Sequence, residues 1–187
     1  MVMSAEEILK RYAKGQRDFR NFKFKGINLS GADLSGIDLA GANLRRANFS
    51  RANLSRVFLG DCHLYEVQLE GANLMLATMY GVVSIDANWR GVNLDDASLE
   101  EAYLVSVDLE EATLKNVNLS DARFENCNLK NVNFEGAIWN ETLMALVDLT
   151  GATGFDPADV AGHQIVLPNG QFVESTWEFT EKKYGDI

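Results

Sequence analysis

Hydrophobic residues recur at every fifth position over most of the chain. Between Phe24 and Leu149 this spacing gives 26 positions, of which 25 are large and apolar and only Ser84 is not. Two residues before each of these centre positions lies a second series, the small positions, which runs from Phe22 to Val147 and is mostly small or β-branched. The period fits neither the 3.6-residue helix nor the two-residue alternation of a flat strand.

The five-residue period predicts a chain that turns once in every repeat. A small position and its centre are two residues apart, so a short extended segment directs both side chains to one side. Two mostly polar residues follow each centre, and the chain must turn there. The third residue of such a type II turn needs a positive φ, which Gly and Asn tolerate, and these occupy that position at Gly26, Gly31, Gly36, Gly41, Gly71, Gly81, Gly91, Gly136, Gly151, Asn116, Asn126 and Asn131. The pattern therefore predicts a solenoid with a core of Leu and Phe padded by Ala and Val.

The repeats resemble the A-(D/N)-L-x-x units of pentapeptide-repeat proteins, a family abundant in cyanobacteria. Gly-Ala-Asp-Leu-Ser at 31–35, Gly-Ala-Asn-Leu-Arg at 41–45 and Gly-Ala-Asn-Leu-Met at 71–75 carry this resemblance. It implies an all-β solenoid, a right-handed quadrilateral β-helix with four repeats per coil. The 26 repeats would then make about 6.5 coils and a rod roughly 31 Å long at the usual strand spacing.

The chain is expected to divide into three parts. Residues 1–18 should form a short capping α-helix, residues 19–152 the repeat β-helix, and residues 153–187 a C-terminal cap without repeats. A cap is needed because a β-helix exposes unpaired strand edges at its ends. Ser4 and Glu7 suggest a capping box at the start of the helix, whose apolar face would be Ile8, Leu9 and Tyr12. A partner-binding or membrane-surface helix is the disfavoured alternative, because the segment is short and its charges are mixed.

The C-terminal segment shows short elements of its own. Asp156-Pro157 is typical of a helix start, and residues 166–173 read as a tight turn between extended pieces. Three aromatic residues need a surface to bury against: Phe172, Trp177 and Phe179. We therefore expect this segment to pack on the end or on one face of the rod.

Signatures of catalysis and of metal or cofactor binding are missing from the sequence. His63 precedes a centre position and should point outward, and His163 lies in the C-terminal segment. Cys62 and Cys127 occupy small positions, should be buried, and lie too far apart along the rod for a disulfide. Phosphate loops, dinucleotide fingerprints and nucleophile elbows do not occur. The sequence thus predicts a protein that is not an enzyme and carries no cofactor.

Composition narrows the classes of partner. The chain is acidic, with a net charge of −10 and a pI near 4.7, which argues against direct nucleic-acid binding through phosphates. The lack of an 18-residue apolar run argues against a membrane partner, and the first residues lack the features of a secretory signal. Two cysteines do not make a disulfide framework. A cytoplasmic location is the resulting expectation.

Charge is unevenly distributed along the sequence. Residues 1–60 carry a net charge of +6, residues 61–152 carry −12 and residues 153–187 carry −4. Acidic pairs on successive turns form a predicted acidic ridge of Asp95, Asp96, Glu100, Glu101, Glu110 and Glu111. This ridge could serve solubility, attract the basic end of a second copy, or face a basic protein partner.

The resemblance also implies an alternative function, because some pentapeptide-repeat proteins imitate duplex DNA and bind type II topoisomerases. Duplex DNA carries about one charge per 1.7 Å, so a rod of this length would need about 18 negative charges. Residues 19–152 hold 18 acidic residues but also 11 basic ones, and only residues 61–152 fit the idea. A DNA-mimicking binder or inhibitor acting through residues 61–152 is therefore the second hypothesis.

An apolar stripe is the second candidate interaction surface. It comprises outward positions that are polar in most other repeats, namely Tyr65, Val83, Ile85, Tyr103 and Val105, with Leu143 further along. Such a stripe is either covered or binds something. The C-terminal segment could lie on it, Ser84 could mark a bulge that turns Val83 or Ile85 inward, or two copies could dimerise through it. Together these features predict a rigid, non-catalytic scaffold for an unidentified protein partner, with homodimerisation as one form of that interaction.

Overall fold

The protein folds as a β-solenoid preceded by one short helix, α1 (Ala5–Ala13). The computed structural model describes residues 3–176. Parallel bridges join residues 20 positions apart from Asp18↔Asp38 to Asn133↔Thr153, so four five-residue repeats complete each coil. The centre residues and most of the small residues fill the interior, and the centres are nearly all below 3% exposed.

Each corner of the solenoid is a tight turn with a left-handed residue at its third position. All twelve Gly and Asn residues named for this role have positive φ, as the sequence predicted. At most corners the turn closes when the next small residue donates its N–H to the preceding centre carbonyl, as Ile27 does to Phe24 (3.0 Å) and Ala97 to Leu94 (3.0 Å). Larger residues adopt the same left-handed conformation elsewhere, among them Arg46. The stacking of coils therefore outweighs the cost of positive φ for residues other than Gly.

Asx side chains cap many of these corners. The Asn or Asp residue just before a centre accepts a hydrogen bond from the backbone N–H two residues further on. Examples are Asn53 to Ser55 N (3.2 Å), Asn93 to Asp95 N (2.9 Å) and Asp148 to Thr150 N (3.0 Å). This cap mimics a backbone turn, and it explains in physical terms why Asp and Asn recur one residue before the Leu of the repeat.

One face of the solenoid forms regular strands. They are β1 (Val83–Ile85), β2 (Tyr103–Val105), β3 (Arg123–Glu125) and β4 (Leu143–Ala145), which pair in parallel and in register. Here the residue before each centre is Val, Tyr, Arg or Leu, so no Asx cap can form at the corner that follows. β-Branched and aromatic side chains favour extended backbone instead. We call this surface the sheet face.

The N-terminal helix covers one end of the core. Ser4 accepts a hydrogen bond from Glu7 N (3.2 Å), as the capping motif predicts. In a full capping box the Glu7 carboxylate would accept a hydrogen bond from the Ser4 backbone N–H. Here it forms an ion pair with Arg11 instead (2.7 Å). Ile8 is buried and the Tyr12 hydroxyl donates to the Ser35 carbonyl (2.7 Å). Leu9 is 38% exposed, so its place on the apolar face was wrongly expected.

The C-terminal segment closes the other end. Asp156 caps a 3-10 helix (Pro157–Asp159), and a hairpin of β5 (Ala161–Val166) and β6 (Phe172–Ser175) follows. β5 pairs in parallel with β4, so the hairpin extends the sheet beyond the last coil. Phe172 is 57% exposed, contrary to the expectation that it would be buried. Trp177 and Phe179 lie outside the described residues.

One coil of the core combines an oversized and an undersized centre. Trp89 is fully buried, and its indole Nε1–H is the only buried side-chain polar atom without a hydrogen-bond partner among residues 3–176. The centre that precedes it in the same coil is Ser84, which is also buried and donates its hydroxyl to the Leu64 carbonyl (3.2 Å). Because protein interiors pack close to the density of organic crystals, we expect the small Ser84 to offset the volume of the large Trp89 in this coil.

This compensation predicts non-additive stability changes. We expect Ser84→Leu to overpack the coil and lower the free energy of unfolding by about 1–3 kcal/mol. Trp89→Leu alone should leave a cavity, whereas Ser84→Leu with Trp89→Leu should recover most of the loss and remove the unpaired indole N–H. Urea unfolding of the four proteins gives the coupling energy. Ser84→Ala, which removes the hydroxyl without adding bulk, is the control, and strictly additive changes would contradict the argument.

Candidate interaction face

The sheet face carries most of the apolar stripe. In register, Val83, Tyr103, Arg123 and Leu143 form one outward column, and Ile85, Val105, Glu125 and Ala145 form the other. Ser84 pairs with Leu104 in this register and points inward, so no bulge turns Val83 or Ile85 into the core. Within residues 3–176, the C-terminal hairpin continues the sheet at its end instead of lying over the stripe.

Two charged residues interrupt the stripe, which the sequence analysis missed. Arg123 and Glu125 occupy the coil between Val105 and Leu143. The Tyr103 hydroxyl donates to Glu125 Oε2 (2.9 Å), and this hydrogen bond, together with desolvation, raises the pKa of Tyr103. Reading the sequence in steps of 20 residues would have revealed both charges. The exposed surface of the sheet face therefore combines apolar and charged side chains, with the Tyr103–Glu125 hydrogen bond near its centre.

Two adjoining grooves run along the C-terminal half of this face. The larger, about 790 Å³, lies between Tyr103, Arg123 and Leu143 on one side and the carboxylates of Glu101, Asp121 and Glu141 on the other. The second, about 470 Å³, shares Tyr103, Arg123 and Leu143 and extends to His163 on β5. Tyr103 is 37% exposed and Leu143 40%, so apolar surface is accessible in both grooves.

Tyr65 belongs to a different cluster from the rest of the stripe. Its ring stacks on His63 with centroids 5.5 Å apart, and the Arg45 guanidinium lies 4.7 Å from its centroid. The neighbouring Arg46 pairs with Glu66 at 2.8 Å. Because its ring is engaged by His63 and Arg45, Tyr65 marks the boundary of the stripe on the basic side.

The predicted acidic ridge is spread over three corners of one coil, and several of its carboxylates form ion pairs or accept hydrogen bonds. Glu110 and Glu111 both pair with Arg90, the second at 3.0 Å. Asp95 accepts from Thr113 Oγ1 (2.6 Å) and from Lys115 N (2.9 Å). Asn116 donates to Asp96 (3.0 Å) and Asn118 to Glu100 (3.3 Å). These hydrogen bonds join successive coils, so the acids contribute to stacking as well as to surface charge.

A column of carboxylates along one corner is the more continuous acidic feature. Asp61, Glu101, Asp121 and Glu141 are all exposed and share the corner that precedes the sheet face, with Gly81 in between. We call this column the acidic corner. The sequence analysis identified only Glu101 among them, because it considered pairs of adjacent acidic residues and not acidic residues spaced 20 positions apart. The Glu101 carboxylate beside Tyr80 raises the pKa of the phenol.

Groups able to support covalent or metal chemistry are inert or dispersed in the part of the chain that is described. Cys62 and Cys127 are buried, and burial raises the pKa of each thiol to about 11. Residues 3–176 contain no cluster of His, Cys, Asp and Glu arranged to hold a metal ion. The same residues include no helix with the length and apolar character needed to cross a bilayer.

A model of pentapeptide repeats matches the chain in eight copies, over residues 23–61, 42–81, 93–131 and 127–153. These ranges cover more than half of the sequence, and the chain belongs to the pentapeptide-repeat family. No curated protein matches it.

Three solved structures are similar to this chain, and the first of them shares its fold. A trypsin-treated variant of QnrB1, a plasmid-mediated fluoroquinolone resistance protein, is 23% identical over 81% of this chain and 75% of its own, with a TM-score of 0.54. HetL from the cyanobacterium Nostoc, involved in heterocyst differentiation regulation, is 24% identical over 91% and 100%, with a TM-score of 0.44. Rfr23 from the cyanobacterium Cyanothece is 24% identical over 73% and 95%, with a TM-score of 0.34.

The Arg90 ion pairs make stability depend on acid pH. Its hydrogen bond to Glu110 lowers the pKa of that carboxyl below the ordinary 4.5. A lowered folded-state pKa stabilises the protein above the unfolded value, and the contribution is lost as pH falls through the folded value. We expect the coupling between Arg90→Met and Glu110→Gln, measured by urea unfolding, to be constant above about pH 5 and to vanish well below 4.5. An equal coupling at pH 7 and in strong acid would contradict this assignment.

Proposed function

We propose that the protein is a non-catalytic rigid scaffold that binds a protein partner through the sheet face. The observation that carries this proposal is the outward, accessible position of Val83, Ile85, Tyr103 and Val105 on paired strands. Side chains held by a strand ladder are fixed before binding, so association costs little ordering entropy. The tightly filled interior supports a structural role rather than a catalytic one, because a reaction needs convergent polar groups in a pocket.

Finer architectural and cellular features belong to the same proposal. We take the solenoid to be the right-handed quadrilateral β-helix of about 6.5 coils that the family resemblance implies, and the 20-residue bridge register supports its four-repeat coil. We also propose three parts, residues 1–18, 19–152 and 153–187, and a cytoplasmic location.

The partner can be a second copy or another protein, and light scattering separates these cases. If the stripe forms a homodimer, the wild-type chain is dimeric, and Tyr103→Glu with Val105→Glu gives a monomer because two carboxylates are placed in an apolar contact. If the wild type is monomeric, the same variant should lose a protein that the wild type retains in a pull-down. Met75→Glu with Leu76→Glu is the matched control, because these residues are 36% and 41% exposed on another corner. If both variants have the same oligomeric state and retain the same proteins, the stripe is not the binding surface.

DNA mimicry through residues 61–152 is the second candidate, and the acidic corner favours it. Asp61, Glu101, Asp121 and Glu141 follow the rod axis on one side. Coil spacing of about 4.8 Å gives this column a much lower charge density than duplex DNA, with about one charge per 1.7 Å. QnrB1, which shares the fold, is described as a fluoroquinolone resistance protein. Glu110 and Glu111 form ion pairs with Arg90, and this neutralisation of their charges weakens the resemblance to a phosphate backbone.

A supercoiling assay with DNA gyrase tests this candidate. A mimic should inhibit supercoiling, and inhibition should fall when Glu101→Gln, Asp121→Asn and Glu141→Gln are combined, because three charges facing the DNA-binding surface are removed. Glu110→Gln with Glu111→Gln, on another corner, serves as the control. Lack of inhibition by the wild-type chain, or equal inhibition by both variants, would exclude a role for the acidic corner.

A further inference from the structure

The face that adjoins the sheet face across the acidic corner carries a second group of exposed apolar side chains. Phe58 is 50% exposed, and Leu76 and Tyr80, at the two corners that bound this face, are 41% and 42% exposed. Exposed apolar side chains gathered in two adjacent coils are typical of an interaction site. We call this surface the Phe58 face, and its middle column is joined by parallel bridges through Asp18, Asp38, Phe58, Thr78, Ser98, Asn118 and Ile138.

Opposite charges flank the apolar group along one corner of this face. Arg56, Leu76 and Asp96 are 20 residues apart, so Arg56 lies one coil before Leu76 and Asp96 lies one coil after it. Both charged residues are exposed, and the ion pairs formed among residues 3–176 include neither of them. The corner therefore presents a positive, an apolar and a negative group in order along the rod.

The charged groups nearby leave Arg56 and Asp96 available to a partner. Asp38, in the middle column of the face, pairs with Arg20 (3.4 Å) and accepts from the Ala40 backbone N–H (3.0 Å). Asp96 accepts a hydrogen bond from Asn116 (3.0 Å), which is uncharged. The charge of each of the two residues is thus not neutralised by an ion pair within the described chain.

This face is complementary to itself about a two-fold axis that lies in the interface, perpendicular to the rod at Thr78. Two copies packed face to face and antiparallel would oppose each column to the same column of the second copy, reversed in direction. Leu76 then meets Leu76 of the second copy. Arg56 meets Asp96 of the second copy, and the symmetry repeats this contact. Thr78 is the middle residue of the column 18–138, so the two rods overlap along the whole face.

The size of the overlap indicates a weak, reversible dimer. Six coil spacings of about 4.8 Å and a width of about 13 Å give on the order of 400 Å² per copy, at the low end of protein interfaces. One like-charge contact opposes association, because Asp61 would face Glu101 of the second copy at the acidic corner. This contact lies at the rim, where solvent and salt screen the repulsion.

We propose that the protein forms an antiparallel homodimer through the Phe58 face, centred on Thr78, with Leu76 and Tyr80 in its apolar middle and two symmetric ion pairs between Arg56 and Asp96. The sheet face lies on the adjoining side of the rod and stays open to a different protein. The inference therefore goes beyond the proposed function and does not rest on it.

Sedimentation velocity over a concentration series tests the dimer. The wild-type chain should convert from monomer to dimer as its concentration rises. Leu76→Glu should remain monomeric because two carboxylates would meet at the axis, whereas Tyr103→Glu with Val105→Glu, on the sheet face, should dimerise like the wild type. A wild-type chain that stays monomeric at millimolar concentration, or a dimer that only the sheet-face variant loses, overturns the proposal.

An exchange of charges tests the ion pairs. Arg56→Asp should raise the dimer dissociation constant about tenfold, because two attractions become repulsions, and Asp96→Arg should do the same. The double variant should restore the wild-type value. Both positions have a φ of 59° that Arg and Asp already adopt there, so the turn is preserved. Arg51→Asp, at another exposed left-handed corner, is the control and should leave the constant unchanged. Neutral single variants, or a double variant without recovery, overturn the arrangement.

Crosslinking with a short bifunctional thiol reagent tests the direction of packing. Cys62 and Cys127 are buried and should not react. Thr78→Cys should crosslink with itself, because this position lies on the axis. Ser98→Cys should not, but it should crosslink with Phe58→Cys when the two variants are mixed. If Ser98→Cys crosslinks with itself as readily as Thr78→Cys, the packing is parallel and the proposed dimer is wrong.

Discussion

The structure depends on one geometric constraint, the turn that the chain makes after every centre residue. A left-handed residue bends the backbone at each corner, a closing N–H to C=O bond holds most of the corners, and 20 residues bring the chain back above itself. Each coil then pairs its backbone with the coils on either side, while centre and small residues fill the inside. Core, edges and outer faces all follow from this repeated bend. The third residue of each turn and each outward-facing residue return to the same place in every coil.

The sequence predicted the repeated architecture well because one physical pattern was repeated 26 times. The twelve left-handed Gly and Asn positions, the buried cysteines and the extended pieces around residues 166–173 were all confirmed. It predicted the irregular ends less well. The Glu7 carboxylate selects Arg11, and Phe172 remains exposed, since contacts at the ends are decided by single neighbours and not by a repeated pattern.

The candidate surface was found in part for the same reason. Outward apolar residues at Val83, Ile85 and Val105 stand out along the sequence, but their surroundings are set by residues 20 positions away. Arg123, Glu125 and the alignment of the acidic corner therefore escaped notice. Arg123 lines both grooves, the acidic corner lines the larger groove and Glu125 lines the second. The lack of Asx residues before the centres on this face leaves its corners uncapped, and the same substitutions provide the exposed apolar side chains. Regular strands and binding surface thus share one origin.

The coil of Ser84 and Trp89 has a consequence for how the rod comes apart. In a stacked array each coil contacts only its neighbours. The free energy of unfolding is therefore approximately the sum of the stability of each coil and of the interfaces between adjacent coils. A layer with an unsatisfied indole N–H is a weaker junction than the Leu-lined layers on either side. It coincides with β1, where regular strand pairing begins on this face. We therefore expect the rod to open as two cooperative units, with amide hydrogens on either side of this junction exchanging with solvent in separate steps.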